Sequence, residues 1–218
     1  MVLLGLNWLR SRWLNILVHV GALLPLAWIA WQYTQDLFFI DPVREITTLT
    51  GRTALILLML MLACTPISTV LGLKQVLRLR RPLGLYAFLY AGIHFATFVW
   101  LDYGFDLAPL VDAVFGQRYV VVGFASGLIL LALAITSTRG WQKRLGKNWK
   151  LLHRLAYMAG ILAVVHFAWL TKDLRVPLRY GAVLALLLIL RIPQVRKALS
   201  SARRWLKNRL SSTPRLSP

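Results

Sequence analysis

Four histidines are the side chains in the apolar part of this sequence that could carry chemistry: His19, His94, His153 and His166. Each lies inside or at the edge of a long apolar stretch, where an ionisable group is costly and therefore indicates a functional site. Between the helices of a bundle, the usual role of such imidazoles is axial ligation of haem iron. The single cysteine, Cys64, excludes a cysteine-rich metal centre. The residue types therefore predict a haem site, with hydrogen-bonded packing as the alternative for each histidine.

Two of these histidines lie at similar depth when residues are counted from the nearest basic segment. His94 follows Arg81 by 13 residues, which is about 20 Å along a helix, and His166 follows Lys150 by 16 residues, about 24 Å. Both stretches run in the same direction through the bilayer. We therefore expect His94 and His166 to ligate one haem together, in the outer half of the membrane.

The other two histidines lie nearer to the opposite surface. His153 is only three residues past Lys150, and His19 follows Arg12 by seven residues, about 10 Å. These two are the candidate ligands of a second haem, although a packing role fits His19 better. On a straight helix His153 and His166 would point about 140° apart, so a second haem would need another flank of that helix or a bend.

The elements that must position these residues are membrane helices. The chain has 218 residues, of which 58% are hydrophobic and only 15% charged, with a mean hydropathy of +0.64. A soluble domain carries roughly a quarter charged residues, so the composition argues against an ordinary soluble globule. We predict an all-α polytopic membrane protein, a bundle of six transmembrane helices. The expected spans are residues 13–31, 53–73, 83–101, 119–138, 151–170 and 177–190.

The distribution of charge predicts the orientation of these spans. The net charge of +19 and the pI near 11.4 are, taken alone, typical of nucleic-acid binding. However, 20 Lys and Arg residues, without any acidic residue, lie in the N-terminus and segments 74–82, 139–154 and 191–218. The alternating segments hold the other six and all seven acids. This bias predicts cytoplasmic termini and excludes a nucleic-acid partner.

The same segments predict the domain organisation. Residues 1–193 form one helical domain, and no internal repeat or second soluble domain is visible. Residues 194–218 form a basic tail, either an amphipathic helix on anionic lipid or a simple topological anchor. The basic residues at 78–81 and 139–154 are candidates for holding haem propionates or a flavin phosphate, although a role as positive-inside anchors explains most of them.

Three stretches resemble a known family. They read GRTALILLMLMLACTP at 51–66, RRPLGLYAFLYAGIHFATFVW at 80–100 and WQKRLGKNWKLLHRLAYMAGILAVVHFAWL at 141–170. The sequence resembles the MsrQ (YedZ) family, the haem-binding membrane subunits of the bacterial MsrPQ methionine-sulfoxide reductase system, within the ferric-reductase-like transmembrane group. The resemblance covers nearly the whole chain and weakens in the acidic loops and the tail.

The resemblance implies specific roles. His94, His153 and His166 match the family's axial haem ligands, and His19 falls where the family carries a histidine of less settled role. It implies haem b, one or two per chain, and in some members FMN. The chain would then be an electron-transfer subunit in the bacterial inner membrane rather than a catalytic subunit. It would pass electrons from the quinone pool or a cytosolic flavin reductase to the periplasmic molybdopterin protein MsrP.

Other functions remain open from the residues alone. A free-standing quinol or ferric reductase would use the same histidines without a protein acceptor. A small transporter or an assembly subunit would use them only for packing. Asp102, Asp106 and Asp112 lie in one outer loop and are candidates for docking a partner, or they are ordinary solvated loop residues.

Overall fold

The computed structural model describes residues 2–35, 37 and 41–211, and the regular elements within these ranges are helices. A short 3₁₀ segment spans Lys74–Leu79, and a π-helical turn spans Phe98–Asp102. The α-helices in chain order are α1 (Val2–Thr34), α2 (Pro42–Val70), α3 (Arg80–Thr97), α4 (Leu107–Gly116), α5 (Arg118–Ile135), α6 (Arg139–Leu145), α7 (Lys147–Leu152), α8 (Leu155–Leu170), α9 (Arg175–Ile189) and α10 (Pro193–Ser211).

The helices confirm the prediction of an all-α membrane bundle. In the described part of the chain, five helical segments are long and apolar enough to cross a bilayer: Arg12–Thr34, Pro42–Val70, Lys74–Asp102, Arg118–Ile135 and Lys147–Leu170. The sixth predicted span corresponds to α9, which has 15 residues and is followed by a 75° bend into α10. Pro193 begins α10, and a residue before proline disfavours helical geometry, so the chain turns there.

The outer faces of these helices are apolar. Large hydrophobic side chains are exposed along α1, including Trp13, Leu17 and Leu24, each at least 60% accessible. Leu128 on α5 and Leu186 on α9 are also exposed. A soluble protein does not leave such continuous apolar surface in water. The bundle is therefore built to face lipid.

Two helix pairs form the centre of the bundle: α2 packs along α3, and α5 packs along α8. Ala87 on α3 and Ala159 on α8 are both 0% exposed, and such small residues let helix backbones approach closely in a membrane. The Ser126 hydroxyl of α5 donates to the carbonyl of Ala159 at 3.0 Å. The Tyr90 hydroxyl of α3 donates to the carbonyl of Ala22 at 2.6 Å, which attaches α1 to the centre.

Arg191, between α9 and α10, connects three helices at one end of the bundle. Its guanidinium donates to the Tyr157 hydroxyl of α8 at 2.6 Å and to the Leu62 carbonyl of α2. In a regular helix that carbonyl would accept from the residue four positions later, but Pro66 has no N–H. Arg191 therefore supplies the donor that the proline removes, which is how neighbouring segments compensate for proline inside a membrane helix.

The two ends of the bundle differ in charge. We call the basic side the end formed by residues 65–82, 136–154 and 190–211, and the acidic side the end formed by residues 41–47, 98–119 and 171–175. α4 lies on the acidic side and was not predicted, because ten residues are too few for a span. α10 covers most of the predicted basic tail; residues 212–218 of that tail, and Asp36 among the acids, lie outside the described residues.

Candidate functional site

The structure brings two of the four histidines together. The ring of His94 on α3 and the ring of His166 on α8 have centroids 6.1 Å apart, and their planes are inclined by 85°. Both residues belong to the central helix pairs, so the two rings meet inside the bundle. The similar depth expected from the sequence agrees with this contact, and haem ligation by the pair stays a prediction.

Each of the two rings is oriented by a backbone carbonyl. His94 Nδ1 lies 2.8 Å from the Thr47 carbonyl oxygen, and His166 Nδ1 lies 2.7 Å from the Tyr119 carbonyl oxygen. A carbonyl only accepts, so Nδ1 must carry the proton and donate in both cases. Each neutral imidazole then has Nε2 deprotonated, with its lone pair available to a metal. Metal-binding histidines are generally held by this kind of hydrogen bond from the second nitrogen.

The spacing of the two rings fits one iron ion between them. With metal–nitrogen bonds of about 2.0 Å and roughly 1.1 Å from nitrogen to ring centroid, two axial imidazoles have centroids about 6.2 Å apart. The separation of 6.1 Å is compatible with one iron held by both rings, and it also lies within the range of direct edge-to-face packing. An edge-to-face packing contact would allow any centroid separation from about 4.5 to 7 Å and would not require both Nδ1 atoms to be engaged. His94 and His166 could therefore hold a haem as its two axial ligands.

Glycines make room for both rings. A Cβ atom on Gly123 would lie 2.6 Å from His166 Nδ1, and a Cβ on Gly51 would lie 3.0 Å from His94 Nδ1. The distance at Gly123 is too short for any side chain unless the ring moves, and the distance at Gly51 is at the limit of what a side chain tolerates. The histidine rings can reach the neighbouring carbonyls only because these two positions carry hydrogen in place of a side chain.

The two halves of the site repeat one arrangement. In each half, the histidine follows its carbonyl partner by 47 residues. The glycine lies one helical turn after that carbonyl, at Gly51 in α2 and Gly123 in α5. Sequence inspection found no internal repeat and missed Thr47, Tyr119 and both glycines. The signal in the sequence that could have identified the glycines is that each precedes its histidine by the same number of residues. A search for side chains that could carry chemistry overlooks this spacing, because glycine has no side chain.

His153 has a different environment from the pair. It lies between α7 and α8, where the helix is interrupted, so the straight-helix estimate of its angle to His166 does not apply. Its Nε2 is 3.1 Å from the Thr136 hydroxyl, which donates its own hydrogen to Ala132 O at 2.7 Å. His153 Nε2 therefore donates to Thr136, and the nitrogen that is open in the other two histidines is engaged here. The ring stacks on Trp149 with centroids 4.1 Å apart.

His19 is placed beside α3. Its Nδ1 is 2.9 Å from the Tyr86 hydroxyl, and the two rings meet edge to face at 5.6 Å. No hydrogen bond or ring contact joins His19 to His153 within the part of the chain that the structure describes. The contacts that the structure does give His19 are those of a packing residue on an exposed face of α1.

Comparison with known proteins gives two findings. The family model described as ferric reductase like transmembrane component matches residues 50–164, which is more than half of the chain. The chain is also similar to two proteins described as protein-methionine-sulfoxide reductase heme-binding subunit MsrQ. One, from Xanthomonas axonopodis pv. citri (strain 306), is 46% identical over 179 residues, covering 79% of this chain and 82% of the relative. The other, from Xanthomonas oryzae pv. oryzae (strain MAFF 311018), is 43% identical over 209 residues, covering 93% of this chain and 94% of the relative.

These findings agree with the fold. The apolar helices and the bacterial relatives place the chain in an inner membrane as a multi-pass protein. The matched region runs from the end of α2 that carries Gly51 to α8, two residues before His166. The extent of the family match and the identity over nearly the whole length of one relative lead to one conclusion: the chain belongs to the ferric reductase like transmembrane family and, within it, to the MsrQ family.

Proposed function

We propose that the chain is the haem-binding membrane subunit of a methionine-sulfoxide reductase system and conducts electrons through the inner membrane. The observation that carries the proposal is the His94–His166 pair, with both Nδ1 atoms donating to carbonyls and a ring separation suited to one iron. The names of the relatives, which describe them as heme-binding subunits of such a reductase, support the same reading.

In this proposal the residues of the chain hold and orient a b-type haem. His94 and His166 would be its axial ligands, and a haem bound there would supply a one-electron redox centre. The Thr47 and Tyr119 carbonyls keep each ring in the tautomer whose Nε2 can bind metal. Both rings are half-buried between apolar helices, and the hydrogen bonds and apolar surroundings of a metal site tune its redox potential.

The partners in the proposal come from the family resemblance. The basic side would face the cytoplasm, where the quinone pool or a flavin reductase would supply electrons, and the acidic side would face the periplasmic acceptor MsrP. By the resemblance, His153 near the basic side is the proposed ligand of a second haem, and ligation through its Nε2 would require the hydrogen bond to Thr136 to break. FMN is a further expectation of the resemblance, and the basic residues at 78–81 and 139–154 are the candidates for holding its phosphate.

Absorption spectroscopy of the purified full chain tests the haem part of the proposal. After haem-replete expression, we expect a Soret band and, on reduction, the sharp α and β bands of a low-spin haem with two nitrogen ligands. Iron counted per polypeptide should be at least one. A preparation with no Soret band would contradict every redox function. The histidines would then serve only for packing, in a small transporter or an assembly subunit.

Neutralising two acids on the acidic side tests the proposed acceptor. Asp102 and Asp112 are exposed, whereas the Asp106 carboxylate accepts from the Ala108 N–H at 3.2 Å and begins α4, so Asp106 should be left unchanged. For the Asp102→Asn/Asp112→Asn double variant, we expect electron transfer to purified MsrP at low salt to slow about tenfold, because charge complementarity raises association rates.

The control for this test is Asp173→Asn, which removes one acid elsewhere on the acidic side while asparagine can still accept from the Arg175 N–H. Its rate should stay close to that of the unchanged chain, and the effect of the double variant should fade at high salt. Equal rates for the double variant and the unchanged chain would remove these acids from docking. Failure to reduce MsrP at all, with reduction of a small ferric complex intact, would favour a free-standing reductase.

A further inference from the structure

A basic pocket lies between the end of α2 and the bent helix α10. It has a volume of about 390 Å³. Its lining consists of hydroxyl side chains and cations around one leucine: Thr65, Ser68, Thr69, Leu77, Arg196, Lys197, Ser200 and Arg203. We propose that this pocket, which we call the α2–α10 pocket, binds a phosphate group, in addition to the electron-transfer function proposed above.

The charges around the pocket are unbalanced. Three of its lining residues, Arg196, Lys197 and Arg203, are cations. In the sequence, no Asp or Glu occurs between residues 46 and 101 or after Asp173, and the remaining acids lie in the loops of the acidic side. Within the described residues, no carboxylate is therefore available at this end of the bundle to neutralise the pocket. An anion from outside the chain would relieve the repulsion among the three cations.

The polar groups of the pocket are suited to phosphate oxygens. The Thr65 hydroxyl oxygen is buried and has no hydrogen-bond partner among the described residues. Arg203 Nη1 donates to the Thr69 carbonyl at 3.0 Å and to the Ser68 carbonyl at 3.4 Å, so the negative end of α2 is already covered by a cation. Guanidinium, ammonium and hydroxyl groups arranged in this way are the donors that phosphate binds most strongly.

The position of the pocket indicates where a phosphate would come from. It lies at the basic side, where α9 ends and α10 leaves at 75°, at the level expected for lipid headgroups. Basic pockets between helix ends on that surface bind the headgroups of anionic lipids. A small soluble phosphate has the same chemistry, so the phosphate group itself is the proposed ligand and the experiment separates its two sources.

Native mass spectrometry of the purified full chain in detergent measures this binding directly. The probes are dioleoyl phosphatidylglycerol, dioleoylglycerol with the same acyl chains but no phosphate, and inorganic phosphate. The test variant is Arg196→Gln/Lys197→Gln, because both side chains are exposed and Arg203 keeps its contacts with α2. We expect phosphatidylglycerol to bind in preference to dioleoylglycerol, and the double variant to bind it about 30-fold more weakly, from the attraction lost at two cations.

The matched control is Lys172→Gln/Arg175→Gln, which removes two exposed cations from the acidic side of the bundle. It should bind phosphatidylglycerol like the unchanged chain. Competition by inorganic phosphate, with no preference between the two lipids, would identify a soluble phosphate as the ligand. The proposal is overturned if neither phosphate probe binds in preference to dioleoylglycerol, or if the two double variants lose binding equally.

Discussion

Replacing either His94 or His166 by alanine is expected to abolish the same low-spin haem. The two rings are 6.1 Å apart and both present Nε2, so one iron would need both of them. With one imidazole left, any haem iron held there would have a single nitrogen ligand, so a haem that stays would be high-spin and less tightly bound. The measurement is the reduced-minus-oxidised spectrum of each purified variant, together with the haem iron per polypeptide.

His19→Ala and His153→Ala are the controls for this result. His19 contacts Tyr86, and His153 contacts Thr136 and Trp149, so neither is joined to the pair. His19→Ala should keep all of its haem, and His153→Ala should keep the spectrum of the haem held by the pair. If His94→Ala and His166→Ala lose spectrally different haems, the two residues do not share an iron and the proposed site is wrong.

Gly123→Ala is expected to weaken haem retention by about 10- to 100-fold. The added Cβ would lie 2.6 Å from His166 Nδ1, so either the ring or α5 must move. Overpacking in a closely packed interior typically costs about 1–3 kcal/mol, and here the displacement falls on the hydrogen bond from His166 to the Tyr119 carbonyl. The measurement is the rate of haem loss to an excess of apomyoglobin, with the shape of the Soret band recorded for the fraction that remains.

Gly127→Ala is the matched control, since Gly127 lies one helical turn further along α5. No atom lies within 4 Å of a Cβ built there, and alanine is the better helix former, so this variant should hold haem like the unchanged chain. If Gly123→Ala and Gly127→Ala lose haem at the same rate, the close contact at His166 has no bearing on the site. Comparable destabilisation of both by heat would lead to the same conclusion.

Most of the bundle could be predicted from the sequence, and the exceptions have physical causes. A membrane helix satisfies its own backbone hydrogen bonds and shows a continuous apolar stretch, so the presence and approximate position of the longer spans follow from hydropathy, although α2 begins at Pro42 rather than at residue 53. Helix α9 is shorter than a full span, and its bend into α10 depends on Pro193 together with the anchoring of Arg191 to α2 and α8. A hydropathy profile cannot predict either of those contacts.

The candidate site, too, could be predicted from the sequence only in part. The similar depth of His94 and His166 came from residue counts, because depth along one helix is simply proportional to the number of residues. The residues that orient the two rings were not predicted: a carbonyl oxygen belongs to every residue, and Thr47 and Tyr119 are marked by position alone. The angle between His153 and His166 could not be obtained either, because the chain leaves regular helical geometry at His153.

By itself, therefore, the sequence determined that this protein is a membrane bundle with oppositely charged ends and with four histidines as the candidate chemistry of its membrane helices. Those properties are set by composition and by distance along the chain. Only the tertiary structure decided that His94 meets His166, that glycines at 51 and 123 admit the rings, and that His19 faces Tyr86. Lateral contacts depend on which helices pack together and on how closely small residues let them approach, and neither quantity is a function of residue number.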